Sequence, residues 1–98
     1  MGILSFKSKV SEQIWKGEVS KSSLRELPLT LHENARTKLS ILNTSSTLNE
    51  LRQFKSLNLE VLKGNLLGYY SIRINKQYRI CFKFKDKNVF DVFATDYH

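Results

Sequence analysis

The sequence predicts an α+β fold, with an N-terminal strand and two helices packed on one face of a mainly antiparallel sheet formed by the C-terminal half. Apolar residues recur at helical spacing up to about residue 54, and the period becomes two from residue 57 onward. Short polar connections separate the alternating segments, as they do in hairpins. With 98 residues and 41% hydrophobic composition, the chain can build one modest core, so we expect a single domain over residues 1–98.

The first helix is expected over Lys9–Gly17, after a short alternating strand at Ile3–Lys7. Gly17 is typical of a helix C-terminus, because glycine adopts left-handed backbone angles without strain. Residues 18–29 are polar, rich in serine and contain the only proline, which indicates a connection with room for one helical turn. The apolar face of the first helix carries Val10, Ile14 and Trp15.

The second helix is expected to begin at Thr30, because Thr30 and Glu33 have the spacing of a capping box. Residues 43–46 end this helix, and Thr47 with Glu50 repeats the capping pattern for a short helix that follows. His32 is expected at the surface of the second helix. The buried stripe of the second helix carries Leu31, Ala35, Leu39 and Leu42.

Four strands are expected in the C-terminal half, at Leu57–Lys63, Tyr69–Asn75, Tyr78–Phe84 and Val89–Ala94. Successive residues of a strand point to opposite faces, so the alternation predicts one face under the helices and one face open to water. The core face carries Tyr70, Ile72, Ile74, Tyr78, Ile80, Phe82 and Phe84. The open face carries Lys63, Ser71, Arg73, Arg79, Cys81 and Lys83.

Basic side chains concentrate on this predicted open face, where opposed side chains of adjacent strands lie about 5 Å apart. Like charges at that distance repel each other, and a phosphate backbone would relieve the repulsion. The whole chain has 16 basic and nine acidic residues and a net charge of +7, which favours polyanionic partners. A solvated face whose long side chains cover apolar surface explains the same pattern, so charge alone leaves both interpretations open.

Composition excludes several classes of protein. Cys81 is the single cysteine, so an internal disulfide cannot form, and a reducing compartment fits. No apolar run approaches the roughly 20 residues that span a bilayer, and the N-terminus lacks a secretory apolar region. We therefore expect a cytoplasmic protein without membrane contact. Cys81 and the two histidines, His32 and His98, lack the spacing of a metal site, so we expect no metal and no other cofactor.

Four segments carry the motifs of a known family: Leu59–Asn65, Gly68–Asn75, Gln77–Phe82 and Asp96–His98. In order and in spacing they resemble the HigB toxins of the RelE/ParE superfamily, the plasmid maintenance killer proteins of type II toxin–antitoxin systems. Residues 5–7 and 17–20 resemble the family as well, so the similarity covers nearly the whole chain. The resemblance implies a RelE-like fold.

The resemblance also implies a toxin that cuts mRNA in the decoding site of the small ribosomal subunit, inhibits translation and arrests growth. In the family's reaction a 2′-hydroxyl attacks the adjacent phosphorus without a metal, leaving a 2′,3′-cyclic phosphate and a 5′-hydroxyl. The implied partners are the ribosome, mRNA and a cognate HigA-like helix-turn-helix antitoxin. Operator DNA is expected to bind only through the antitoxin complex.

Matching the family's motifs position by position implies the catalytic residues Lys63, Arg79, Tyr97 and His98. Arginine suits the place of Arg79, because its planar fork holds two phosphate oxygens and stays charged. An imidazole titrates near neutral pH, so His98 is the candidate general acid or base, and Tyr97 is a candidate for stacking on a base. The candidates for substrate binding are Arg73 and Lys83.

Two other functions stay open from the sequence alone. A toxin of the same fold can act on DNA gyrase, as ParE-type relatives do, although Lys63, Arg79 and the final tyrosine and histidine favour the RNA-cutting branch. The chain could instead be a non-catalytic basic module that binds nucleic acid or only a partner protein. Glu60 stands where some members of the family have a histidine, which leaves the cleavage rate and the codon preference open.

Overall fold

A five-stranded sheet organises the computed structural model, which describes residues 2–96. Its strands are β1 (Gly2–Ile3), β2 (Glu60–Val61), β3 (Tyr70–Arg73), β4 (Tyr78–Lys85) and β5 (Asn88–Asp96). They lie in the order β1-β5-β4-β3-β2. β1 runs parallel to β5, and the other neighbouring strands are antiparallel. The α+β class and the mainly antiparallel sheet predicted from the sequence are confirmed.

Four α-helices and three 3-10 turns complete the described part of the chain. The helices are α1 (Lys9–Lys16), α2 (Lys21–Glu26), α3 (His32–Thr44) and α4 (Leu48–Gln53). The 3-10 turns are Leu29–Leu31, Lys55–Leu57 and Gly64–Leu66. None of the helices within residues 2–96 is long and apolar enough to cross a bilayer.

α1 begins and ends where the sequence predicts. The Ser8 hydroxyl caps its N-terminus by accepting a hydrogen bond from the Ser11 amide at 3.2 Å. Gly17 ends it with φ at +80°, and the Gly17 amide donates to carbonyls of the last turn. Local sequence signals are sufficient to predict this helix, because Ser8 and Gly17 are directly adjacent to its two ends.

The capping box predicted for α3 is wrong, and a box at α2 was not predicted. Thr30 lies inside a 3-10 turn, and Leu31 is the N-cap of α3 without a side-chain hydrogen bond. The Pro28 carbonyl accepts from the Leu31 amide at 2.9 Å, so a backbone turn takes the place of the side-chain cap. In α2 the side chains of Ser20 and Ser23 accept from each other's amides at 3.1 and 2.9 Å.

α4 begins as predicted, with one difference in its cap. The Thr47 hydroxyl accepts from the Glu50 amide at 3.2 Å. The Glu50 carboxylate accepts from the Ser46 amide at 2.9 Å, one residue before the amide that a capping box would use.

The helices cover one face of the sheet and share a core with it. His32 belongs to this core and is 2% exposed, so the prediction of a surface position is wrong. Its Nε2 donates to the Leu27 carbonyl at 2.8 Å, because a carbonyl oxygen can only accept. His32 precedes Ala35 by three residues and therefore shares its buried stripe. The core comprises Ile14, Leu27, Ala35, Leu39, Leu42, Leu51, Leu57, Ile72, Ile74, Ile80, Phe82, Val89, Val92 and Ala94.

The opposite face of the sheet is partly covered, contrary to the prediction that it is open to water. Leu62, Tyr69 and Cys81 are buried there, and Leu66 and Phe93 pack against them. The strand predicted at residues 57–63 is reduced to the two residues of β2, because 3-10 turns lie on either side of it. Residues 58–69 thus cover the middle strands and bury side chains that alternation alone assigns to solvent.

β4 and β5 are joined by a two-residue turn at Asp86 and Lys87, in agreement with the short loop predicted there. The φ angles of these residues are +52° and +66°, the combination that defines a type I′ turn. Such turns favour glycine at the second position, because a Cβ atom is strained at positive φ. Lys87 is therefore a strained residue in an otherwise favourable hairpin.

We expect Lys87→Gly to raise the free energy of unfolding by about 1 kcal/mol, because it removes this left-handed strain. The midpoint of thermal unfolding should rise by about 4–8 °C in a domain of this size. As a matched control, Lys85→Gly in the adjoining strand should lower stability, since glycine weakens strands. Urea unfolding of the wild type and the two variants measures the effect. A Lys87→Gly protein less stable than the wild type would show that Lys87 is not strained.

Candidate active site

Arg79 lies on the partly covered face, one residue after the start of β4, and is 3% exposed. Its Nε donates to Ser71 Oγ at 2.7 Å, and its Nη2 donates to the carbonyls of Asn58 and Ser71. The Glu60 carboxylate lies 3.9 Å from Nη1. The predicted solvent-exposed position is wrong, because residues 58–60 close over a side chain that comes from β4. The guanidinium is consequently a fixed positive charge rather than a mobile surface arginine.

Arg73 lies directly opposite Arg79 in the antiparallel register of β3 and β4, so both side chains belong to the same face. Arg73 is exposed, in contrast to its buried neighbour. Like charges directly opposite each other destabilise a sheet. The Glu60 carboxylate offsets part of this charge at Arg79, and a phosphate group beside the exposed Arg73 would add charge-assisted hydrogen bonds. The structure thus brings two of the predicted site residues together.

Lys63 is exposed and belongs to the segment between β2 and β3. It follows Leu62, whose amide donates to the Tyr69 carbonyl at 2.9 Å. Because β2 and β3 are antiparallel, with Glu60 opposite Ser71, Lys63 lies beside the start of β3 while Arg73 lies at its end. Three residues of extended chain separate Lys63 from Glu60 by roughly 10 Å. The structure therefore does not place Lys63 beside the Arg73–Arg79 pair along the strand.

Lys83 lies on the same face, with its Nζ 5.0 Å from the centroid of the Tyr69 ring and 3.7 Å from Asp91 Oδ2. Lys7 reaches the same place from the N-terminal segment: its Nζ is 4.7 Å from the Phe93 centroid and 5.6 Å from the Tyr69 centroid. These are distances of cation–π contacts. Strand alternation predicts Lys83 as a site residue, whereas the sequence predicts Lys7 only as part of the first strand and of a segment that resembles the family.

Lys7 joins this group because of a parallel pairing that alternation cannot predict. Phe6 forms a bridge with Val92, and the Lys7 amide donates to the Val92 carbonyl at 2.9 Å. The segment Ser5–Lys7 thereby runs beside β5. The sequence does contain one signal for Lys7, because residues 5–7 resemble the corresponding segment of the HigB family.

Tyr97 and His98 lie outside the described residues, so their predicted roles stay predictions. Asp96 is opposite Tyr78, one pair beyond the Arg79–Thr95 pair. The described chain thus ends close to the backbone of Arg79.

Cys81 lies between the arginine pair and the two lysines. It is fully buried, with Ser71 opposite it on β3 and Phe93 opposite it on β5. Burial raises the pKa of its thiol to about 11, and the positive charges of Arg79 and Lys7 oppose that rise. The thiol is therefore protonated at neutral pH. Within residues 2–96, no group of three or more His, Cys, Asp or Glu side chains is placed to hold a metal ion.

We expect Cys81 to react slowly with thiol reagents in the folded protein. A pKa near 11 leaves about 100-fold less thiolate at pH 8 than a thiol with pKa near 9, and burial adds a steric barrier. Labelling with a disulfide reagent at pH 8, in buffer and in concentrated urea, should show at least a 100-fold faster reaction after unfolding. Equal rates in the two solvents would show that the covering segment is open in solution.

Residues 4–98 match the family described as RelE-like toxins of the type II toxin–antitoxin system HigB. The chain is 36% identical over 83 residues to Toxin HigB-1 of Vibrio cholerae serotype O1, which covers 85% of this chain and 84% of the relative. It is 34% identical over 64 residues to an uncharacterized protein of Haemophilus influenzae, which covers 65% of this chain and 63% of that one.

A similar solved structure is a heterotetrameric complex of the YoeB–YefM toxin–antitoxin from Staphylococcus aureus, with a TM-score of 0.53 and 20% identity. The alignment covers 100% of this chain and 99% of the other. At this identity the similarity concerns the fold, and it agrees with the RelE-like architecture expected from the sequence. The family match over residues 4–98 and the V. cholerae relative establish that this chain belongs to the HigB-like, RelE-like toxins of type II toxin–antitoxin systems.

Proposed function

We propose that the chain is a ribosome-dependent mRNA endonuclease that inhibits translation as the toxin of its system. The observation that carries the proposal is the pairing of Arg73 with a buried Arg79, directly opposite each other on one sheet face. Such a pair suits the phosphate backbone of RNA, and family membership gives this anion site its context. The substrate in this proposal is mRNA rather than DNA, because the reaction needs a 2′-hydroxyl.

The proposed reaction is an internal transesterification. The 2′-oxygen forms a bond to the adjacent phosphorus and loses its proton to a base, and the bond from phosphorus to the 5′-oxygen breaks as that oxygen gains a proton. The products are a 2′,3′-cyclic phosphate and a 5′-hydroxyl. The reaction requires a base, an acid and positive charge for the phosphorane oxygens.

The residues of the chain divide these tasks. Arg79 provides a fixed positive charge at the floor of the site, since Ser71 and Asn58 hold its guanidinium, and Arg73 adds an exposed one. His98 exchanges protons and Tyr97 stacks on a base of the substrate. Lys63 supplies a further positive charge beside the start of β3. Because a fixed cation needs no reorganisation when the phosphorane forms, Arg79 is the largest contributor of charge stabilisation in this proposal.

The proposal includes the partners expected of such a toxin. A cognate HigA-like helix-turn-helix antitoxin neutralises it, and operator DNA binds only through their complex. The description of the family as one of type II toxin–antitoxin toxins supports an antitoxin partner. The small ribosomal subunit presents the message at the decoding site, and the protein acts in the cytoplasm. Contact with ribosomal RNA by a chain of net charge +7 should weaken as salt rises.

Primer extension on a message in a cell-free translation reaction tests the proposal. We expect cuts within codons that require ribosomes and vanish when the antitoxin is added. The matched control is the same message and toxin without ribosomes. An intact message together with growth arrest in cells would contradict cleavage, and a supercoiling assay would then test the alternative of a gyrase-directed toxin.

A further inference from the structure

We propose that Lys7 and Lys83, which lie against the rings of Tyr69 and Phe93, form a second phosphate-binding subsite that holds the RNA backbone at a phosphate other than the one that is cut. The inference rests on the proposed function and adds to it a binding position on the RNA. The two lysines come from distant parts of the chain, and the structure brings both ammonium groups to the same aromatic pair.

The geometry of the rings fixes the place of the two charges. Tyr69 and Phe93 pack edge to face, with centroids 5.5 Å apart and an interplanar angle of 80°. Lys7 is near both rings and Lys83 is near Tyr69. A cation over an aromatic face keeps its charge while its stem covers apolar surface. The ring contacts therefore favour the positions that the two ammonium groups occupy.

Two ammonium groups at one ring repel each other, and Asp91 offsets part of that charge. Its Oδ2 lies 3.7 Å from Lys83 Nζ, while its Oδ1 accepts from the Ser5 hydroxyl at 3.3 Å. The backbone of Asp91 has φ at +51°, beside the irregularity in the β4–β5 pairing. One carboxylate beside Lys83 leaves the two lysines with an excess positive charge. A phosphate group would balance this charge.

The position of the subsite relative to Arg79 indicates a second phosphate rather than the same one. Arg79 and Lys83 are four residues apart on β4, roughly 13 Å of strand, and the buried Cys81 lies between them. A single phosphate group cannot reach both, whereas a polynucleotide that follows the strand can. Lys83 also lines a groove together with Gly68, Phe84, Lys85, Asp86, Phe90 and Asp91.

The test is binding of a fluorescent single-stranded RNA with 2′-O-methyl groups, which cannot be cut, measured by anisotropy from low to moderate salt. We expect the double variant Lys7→Gln, Lys83→Gln to weaken binding about 10-fold. Its plot of log affinity against log salt should be shallower by about 0.7, the value for one phosphate contact on a single strand. The double variant Lys7→Arg, Lys83→Arg should restore most of the affinity, because it keeps the charge.

The matched control is Lys21→Gln, Arg25→Gln, which removes two charges from exposed positions of α2. It should bind RNA as the wild type does, and thermal melts should show all the variants folded. Wild type that fails to bind the RNA at low salt would overturn the inference, as would a glutamine variant with unchanged affinity and salt slope. A glutamine variant that loses only antitoxin binding would also overturn it and would assign the lysines to a protein partner.

The two proposals fail separately in these measurements. Binding of the uncleavable RNA requires no chemistry. An intact message in the translation assay, together with the expected loss of RNA affinity in the glutamine variant, would therefore contradict the nuclease proposal and support the subsite. Codon-specific cleavage by the wild type, together with unchanged RNA affinity in the glutamine variant, would support the nuclease proposal and contradict the subsite.

Discussion

Replacing Arg79 with alanine is expected to lower the free energy of unfolding by about 2–4 kcal/mol and to reduce mRNA cleavage by about 100- to 1000-fold. The loss of stability follows from the buried partners of Arg79. Ser71 Oγ and the carbonyls of Asn58 and Ser71 would lose their donor without gaining water. The loss of cleavage follows from removing a fixed cation from the proposed phosphate site. Urea unfolding and primer extension measure the two effects.

Arg73→Ala is the matched control for this variant, because Arg73 lies opposite Arg79 but is exposed. We expect its stability to change by less than about 0.5 kcal/mol while its cleavage falls. Arg79→Lys separates charge from hydrogen bonding, since a lysine keeps the charge but cannot occupy the positions of Nε and Nη2 together. If the Arg79→Ala protein cleaved mRNA at the wild-type rate, Arg79 would not be part of the active site.

Replacing His98 with alanine is expected to reduce mRNA cleavage by about 100- to 10,000-fold, the usual contribution of a general acid or base. An imidazole has an ordinary pKa near 6.5, so wild-type cleavage should change with pH between about 6 and 7.5. That change should be absent from the residual activity of the variant. Rates of codon cleavage over this pH range, at fixed ribosome concentration, measure both effects.

Tyr97→Phe is the control for the histidine variant, because it keeps an aromatic ring able to stack on a base. It should retain most of the cleavage and the same pH profile. A His98→Ala protein that keeps the pH dependence would show that another group transfers the proton. Unfolding curves of the two variants distinguish a loss of chemistry from a loss of structure.

Much of the fold follows from local features of the sequence. α1 ends at Gly17, where glycine adopts φ of +80°, and Thr47 caps α4. β4 and β5 lie where alternation places them, and the turn at Asp86 and Lys87 joins them. Each of these features depends on residues within a few positions of one another, which is why periodicity and capping chemistry are sufficient to predict them.

The candidate site follows from the sequence only in part. Alternation correctly places Arg73 and Arg79 on the same face of neighbouring strands, because the register of a hairpin fixes which side chains share a face. The family resemblance adds Lys63, Tyr97 and His98, of which Tyr97 and His98 lie beyond the described residues. The alternation of side chains cannot predict that Arg79 is buried and Arg73 exposed, because the segment that covers Arg79, residues 58–60, lies elsewhere in the chain.

The amino-acid sequence by itself determined the family, the order of helices and strands, and the sheet face on which Arg73, Arg79 and Lys83 lie. The tertiary structure decided that Arg79 is buried and Arg73 exposed, that His32 belongs to the core, and that Lys7 joins Lys83. The physical reason is the range of the contacts. Arg79 is bonded to a carbonyl 21 residues away, and the bridge beside Lys7 joins Phe6 to Val92. Such pairings depend on how whole segments pack against each other, so a local sequence pattern cannot predict them.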